Sequence, residues 1–217
     1  MNELLTDVGV RENVAFVGQT LGPLFLSDPA HEDGVVPAIE AFARLDVSAA
    51  AEEWPFVEAE EAHVALSLMK QGAQAGAQSD EVVWEYRRLF VGPAPKPAPP
   101  WGSVYTDREC VVFGATCLEL RQWMREVGIK RLGEERDPED HIGLMLLLLA
   151  WIAEHRPELL EDYLRLHLLP WSSHLLEELE EAAAQPLYKG LAHLARLSLE
   201  GMGSAFGLEV VHPRFYR

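Results

Sequence analysis

Apolar residues recur at three- and four-residue intervals along almost the whole chain, the spacing that gathers one face of an α-helix. Cys117, Leu120, Met124 and Val127 mark one such face, and Leu160, Tyr163, Leu164, His167 and Leu168 mark another. Leu175, Leu179 and Ala182 continue the pattern, as do Leu187, Leu191 and Leu194. The same period predicts helices over residues 14–26, 35–45, 58–77 and 80–90. No run alternates long enough to establish a strand; Val111-Val112-Phe113 is the best candidate, and it is short. The pattern predicts an all-α fold, a single domain over residues 1–217 of roughly eight to ten helices, without a solenoid repeat.

One segment breaks the rhythm. Between Leu89 and Asp107 the chain reads FVGPAPKPAPPWGSVYT, which holds five of its 14 prolines. Proline removes an amide donor and drives its predecessor to extended geometry, so residues 91–106 are predicted to form an irregular or polyproline-II loop. Loops of this length inside a domain are usually functional or disordered. Phe90, Trp101, Val104 and Tyr105 call for burial, which favours an ordered loop crossing one domain over a linker between two.

A second segment, RDPEDHIGLMLLLLAWI from Arg136 to Ile152, opens an apolar helix. Asp137 suits the N-cap, Pro138 the first helical position, and Glu139 and Asp140 the positive helix end. Asp140 then sits where a carboxylate can fold back on the cap amide as in a capping box, with His141 following. Two readings stand side by side. One is a well-capped core helix with a hydrogen-bonded histidine; the other is a carboxylate and an imidazole held rigidly to receive a cationic ligand.

Composition narrows the partners. The 217 residues carry 18 Lys and Arg against 35 Asp and Glu, a formal charge of −17. Nucleic acid is excluded as a partner, because phosphate binding needs massed Lys and Arg. Such a field attracts cations, basic proteins and basic peptides. Glu52, Glu53, Glu58, Glu60 and Glu61 form one acidic cluster and Glu177, Glu178, Glu180 and Glu181 another; both read as solvated helix faces. Five carboxylates from Glu134 to Asp140 converge on the helix start, opposed only by Arg136. The strongest apolar stretch, Ile142 to Ala153, is 12 residues long and too short to span a bilayer. The first residues lead into no signal-like apolar run, and the two cysteines, Cys110 and Cys117, make no disulfide framework. A cytoplasmic, reducing location without membrane insertion is expected.

Catalytic motifs are missing from the sequence. It contains no GxSxG, no HExxH and no GxxxxGK[ST] phosphate loop. GMGSAFG, Gly201 to Gly207, reads as a helix stop instead of a dinucleotide fingerprint, because no strand precedes it. The eight histidines are scattered without zinc spacing, so no metal site and no cofactor are expected. Arg87-Arg88 lies mid-chain on a predicted helix and reads as a solvated face.

EYRRLFVGPAPKPAPPWGSVYTDRE, Glu85 to Glu109, resembles the TorD/DmsD family of redox-enzyme maturation chaperones, and its DmsD branch in particular. The PEDH of Pro138 to His141 matches the second family signature, and RQWMREVGI, HLLPWS and the Pro-Arg-Phe near residue 214 extend the similarity. The resemblance implies an all-helical cytoplasmic protein without chemistry of its own. It would bind the twin-arginine signal peptide of a molybdenum-cofactor oxidoreductase, a dimethyl-sulfoxide-reductase-like catalytic subunit, and hold the precursor until cofactor insertion, before export. The twin-arginine translocase is a further implied partner. By motif, the peptide-binding positions are Tyr86, Leu89, Pro100, Trp101, Asp140 and His141, while Gly92, Pro93, Pro99, Gly102, Ser103 and Tyr105 shape the loop. Relatives often carry tryptophan where this chain has Tyr86 and Ala94, which bears on the favoured leader. Two alternatives are a chaperone that engages the mature catalytic subunit independently of its leader, and a nucleotide-binding cofactor-delivery factor.

Overall fold

The computed structural model describes residues 7–31, 34–130 and 138–217. Helix α1 (Val8–Leu26) starts earlier than its apolar period announces, because the Asp7 side chain caps it by accepting from Val10 N at 3.0 Å. Next come α2 (Val36–Ala43), α3 (Val47–Glu53), α4 (Ala59–Ala73) and α5 (Asp80–Tyr86). Helix α3 escapes the apolar pattern; its start is set by Asp46, whose side chain accepts from Ala49 N. Then follow α6 (Gly102–Thr106), α7 (Ala115–Glu126), α8 (Ile142–His155), α9 (Leu160–Asp162), α10 (Leu169–Ala182) and α11 (Pro186–Ala205). Helix α9 runs through a π-helical stretch, Tyr163–Leu168, straight into α10. With α9 and α10 taken as one rod, the described residues hold ten helices, and the chain is all-helical as the period predicts.

One apolar core runs through this bundle. Val14, Leu21 and Phe25 of α1, Leu66 and Met69 of α4, Met145 and Leu149 of α8, and Leu191 and Leu199 of α11 are all fully buried in it. Helices α1 and α8 press backbone to backbone: a Cβ on Gly143 would lie 2.8 Å from Gly22 O and 2.6 Å from Leu26 Cγ. That contact fixes the start of α8 against the end of α1.

Three local expectations change. Val111-Val112-Phe113 is an exposed turn and not a strand, and Phe113 takes a left-handed φ of 64°. The proline segment is irregular only as far as Trp101, after which its last residues wind into α6. Arg87-Arg88 is no free solvated face. Helix α5 ends in a π-helical turn, Arg87–Val91, where Arg87 donates to Asp28 Oδ2 at 3.0 Å and Arg88 forks onto Glu85 at 2.7 and 2.9 Å. Glu85 also accepts from Ala184 N at 2.6 Å, so this pair ties α5 to the turn before α11. The turn closes when Gly92 N donates to Arg87 O at 2.9 Å, and Gly92 takes a φ of 104° that suits only glycine. The chain thus enters the proline loop from a rigid, charge-clamped corner.

The second acidic cluster is likewise engaged. Glu180 accepts from His193 at 2.8 Å and pairs with Arg196 at 3.3 Å, joining α10 to α11. GMGSAFG ends α11: Leu208 N donates to Gly203 O at 3.0 Å, and Gly207 has a φ of 60°. Cys110 is exposed and Cys117 buried, and both thiols are free. No helix among the described residues is long and apolar enough to cross a membrane.

Candidate functional site

The proline loop and the PEDH segment meet. Ile142 N donates to Pro100 O at 2.8 Å, and Gly102 N donates to Asp140 O at 3.1 Å. These bonds make one antiparallel bridge between Trp101 and His141. Ser103 N adds a short bond of 2.6 Å to Asp140 Oδ2, linking positions 37 apart in sequence. Two extended strips of three residues are thereby clasped together at the opening of α8.

This clasp moves the helix start. Helix α8 begins at Ile142, while Pro138 to Asp140 form a turn closed by His141 N donating to Pro138 O. Asp137, the expected cap, lies outside the described residues, as do Glu134, Glu135 and Arg136. His141 is the N-cap instead, its Nδ1 accepting from Gly143 N at 3.1 Å. The reason is tertiary. The N-terminal amides of a helix need outside acceptors, and here the Pro100 carbonyl supplies one for Ile142. Asp140 cannot serve a capping box because its carboxylate is committed to Ser103.

Burial sets the electrostatics. Asp140 has no exposed surface, and that burial pushes its carboxyl upward against the opposing bonds from Ser103. Asp140 Oδ1, Ser103 Oγ and Trp101 Nε1 are buried without a hydrogen bond of normal geometry. Glu139 beside them accepts from Arg121 at 2.9 and 2.6 Å. Burial and the neighbouring carboxylates hold the Cys117 thiol up at about 12, so it stays protonated. The open acidic surface expected at this helix start is therefore absent among the described residues: one carboxylate is ion-paired and the other enclosed.

The His141 imidazole is pushed down to about 3 by burial, with the positive charge of Lys96 acting in the same direction. It is neutral at pH 7. Because Nδ1 accepts from Gly143, the ring proton resides on Nε2, and the free edge of the imidazole is a donor. It suits a peptide carbonyl, where the sequence suggested a receiver of cations. Trp101 stands edge-on to His141 at 5.8 Å and remains partly open, with Lys96 Nζ 5.2 Å from its ring centre.

The structure thus gathers Pro100, Trp101, Asp140 and His141. Tyr86 and Leu89 belong to the core instead, at 3% and 0% exposure, and Tyr86 packs against Phe90 at 5.2 Å and Tyr188 at 6.1 Å. Among the loop-shaping residues, the Gly92-Pro93 peptide is cis and Pro99 is buried. A Cβ on Gly102 would lie 2.5 Å from the Trp171 ring, so only glycine lets the loop lie this close. Tyr105 is fully buried, edge-on to His174 at 5.6 Å.

Sequence reasoning missed a strap over this loop. Phe215 stacks on His174 at 4.3 Å, and Tyr216 N donates to Tyr105 O at 2.9 Å. Arg217 Nη2 then donates to Lys96 O at 3.3 Å and to Pro97 O at 2.6 Å. The Pro-Arg-Phe signature marks the place, but nothing in its spacing points to residues 120 positions away. Among the described residues no three His, Cys, Asp or Glu side chains gather as metal ligands.

Residues 57–177, more than half of the chain, match the family model described as nitrate reductase delta subunit. The chain is 41% identical over 191 residues to the Tat proofreading chaperone DmsD of Salmonella paratyphi A, covering 87% of this chain and 88% of the relative. The chain belongs to the TorD/DmsD family of redox-enzyme maturation chaperones. Within that family it is 36% identical over 207 residues to the DmsD counterpart of Haemophilus influenzae, across 95% of this chain and 98% of that one. The TorD chaperone of Vibrio cholerae is 27% identical over 187 residues, 81% of this chain and 83% of the relative. A crystal structure described as a candidate redox enzyme maturation protein from Archaeoglobus fulgidus superposes with a TM-score of 0.52 at 25% identity, covering 88% and 93% of the two chains. The DmsD and TorD relatives named here are chaperones.

Proposed function

We propose that this protein is a cytoplasmic Tat proofreading chaperone. It binds the twin-arginine leader of a molybdenum-cofactor oxidoreductase precursor and holds it from the twin-arginine translocase until the cofactor is in place. The observation that carries the reading is the clasp between Trp101 and His141. It joins the two family signatures in one place and leaves a tryptophan face and an Nε2 donor beside each other.

Energetics say what kind of grip this must be. A micromolar complex needs about 8 kcal/mol, and association costs at least ~4 kcal/mol more. An exposed arginine–carboxylate pair supplies only ~0.2–1 kcal/mol. Burying roughly 400 Å² of apolar surface at ~25 cal/mol per Å² supplies the missing ~10 kcal/mol. The charge of −17 brings a basic leader near, and apolar contact keeps it.

The test is calorimetric titration with a synthetic peptide carrying Arg-Arg followed by a Leu/Ala-rich stretch. Trp101→Ala and His141→Ala should each weaken binding at least ~tenfold, with unchanged circular dichroism. Undiminished affinity in both variants sinks the site. Binding of full precursor but not of any leader peptide would show instead that the mature subunit is the target.

A further inference from the structure

A twin-arginine leader carries an apolar stretch, and the clasp has little surface to receive it. Tyr86 and Leu89 are enclosed, Ala98 is fully buried, and Trp101 is only partly open. A groove of about 740 Å³ lies elsewhere, between α1, α2 and α3. Phe16, Pro23, Ala41, Phe42, Leu45 and Trp54 give it an apolar lining. Phe16 is 46% exposed there, an unusual position for a phenylalanine that packs edge-on to Trp54 at 5.3 Å. Trp54 is held rigid, because its Nε1 donates to Ser198 Oγ of α11 at 3.0 Å. The groove is therefore preformed and does not depend on a collapse of mobile side chains.

Its charge is one-sided. Among the described lining residues, Glu12 and Glu53 are the charged ones, and neither Lys nor Arg lines the groove. An apolar floor with carboxylates at its rim suits an apolar segment flanked by basic residues, and opposes an acidic one. The groove also lies near the clasp. Pro23 lines it, while the adjacent Gly22 touches Gly143, two residues beyond His141. Helix α1 thus stands between them, and a chain skirting a helix of roughly 10–12 Å diameter needs about five to six extended residues to pass from one side to the other.

We propose that the α1–α3 groove holds the apolar stretch of the leader, with Glu12 and Glu53 facing its basic flanks, while the Trp101–His141 clasp engages the neighbouring segment. This assignment rests on the leader-binding reading above. It explains how a chaperone with so little open apolar surface at the clasp retains a peptide.

Two variants and two peptides test it on the full chain. Ala41→Trp fills the groove from an exposed position, and Phe16→Ser removes its open aromatic face without touching the buried core. The probes are the Arg-Arg peptide with its Leu/Ala-rich stretch and the same peptide with serine in place of the leucines. Each variant is expected to weaken the apolar peptide by about tenfold or more, and to leave the weaker affinity for the serine peptide unchanged. Trp101→Ala is expected to weaken both. If both groove variants bind the apolar peptide as tightly as the unaltered chain while Trp101→Ala does not, the groove assignment is overturned and the leader reading stands. If the unaltered chain binds neither peptide, the leader reading itself falls. If Ala41→Trp abolishes a concentration-dependent dimer in ultracentrifugation and spares peptide binding, the groove belongs to a second copy and the assignment is wrong.

Discussion

Replacing His141 by asparagine should flatten the acid side of the stability curve. Burial holds this imidazole at about 3, against 6.5 when exposed, and at 8% exposure the shift escapes solvent screening. Between those two values the unfolded chain takes a proton that the folded chain refuses, so stability rises with pH. The contribution is fully present above 6.5 and drains away as the pH falls toward 3. Linkage puts the loss between about pH 7.5 and about pH 5 at about 2 kcal/mol. His167, pushed down to about 4 by burial against the pull of Asp162, adds a similar loss, but it does so equally in both proteins. Asparagine still accepts a cap bond and cannot titrate. Its lost contact with Trp101 costs about 0.5–1.5 kcal/mol at either pH and cancels in the difference. Urea denaturation followed by tryptophan fluorescence at the two pH values should therefore show the unaltered chain losing about 2 kcal/mol more than His141→Asn. Parallel losses would mean that the folded ring titrates normally, and the assignment of a buried neutral ring whose Nδ1 accepts from Gly143 would fail with it.

Two further outcomes follow from the loop. Gly102→Ala drives a Cβ to within 2.5 Å of Trp171, and should lower stability by about 1–3 kcal/mol through overpacking; an unchanged urea midpoint would show that the ring yields freely. Arg217→Ala removes the bonds to Lys96 O and Pro97 O. Amide exchange at Ala94, Lys96 and Ala98 should quicken while global stability changes by less than ~1 kcal/mol, because the guanidinium is partly exposed. Unaltered exchange there would mean that residues 215–217 do not restrain the loop.

Most helices were legible because burying one face of a helix leaves a periodic trace in the sequence. The run from Leu187 to Leu194 predicts α11, and the Leu-rich stretch after His141 predicts the buried α8. Where the helix start depends on a distant partner, the local pattern misleads. Asp137, Pro138 and Asp140 spell a capped helix, yet α8 waits for His141 because Asp140 is bonded to Ser103 and Ile142 to Pro100. Arg87-Arg88 looked like a free surface pair, since nothing in the local sequence announces that Asp28, Glu85 and Ala182 will stand within reach. Helix α6 stayed hidden behind the prolines, whose rule ends at Pro100.

The sequence by itself determined that this chain is a helical bundle, that it is strongly acidic with a formal charge of −17, and that its proline loop and PEDH segment carry the family's signatures. Those properties are sums or periods over many residues, so no single contact can undo them. Only the tertiary structure decided how deeply each motif residue is buried. Tyr86 and Leu89 went to the core, Asp140 was enclosed as a brace, and an unheralded groove opened beside Phe16. Exposure is a property of what packs against a residue, and that partner is generally far away in the chain.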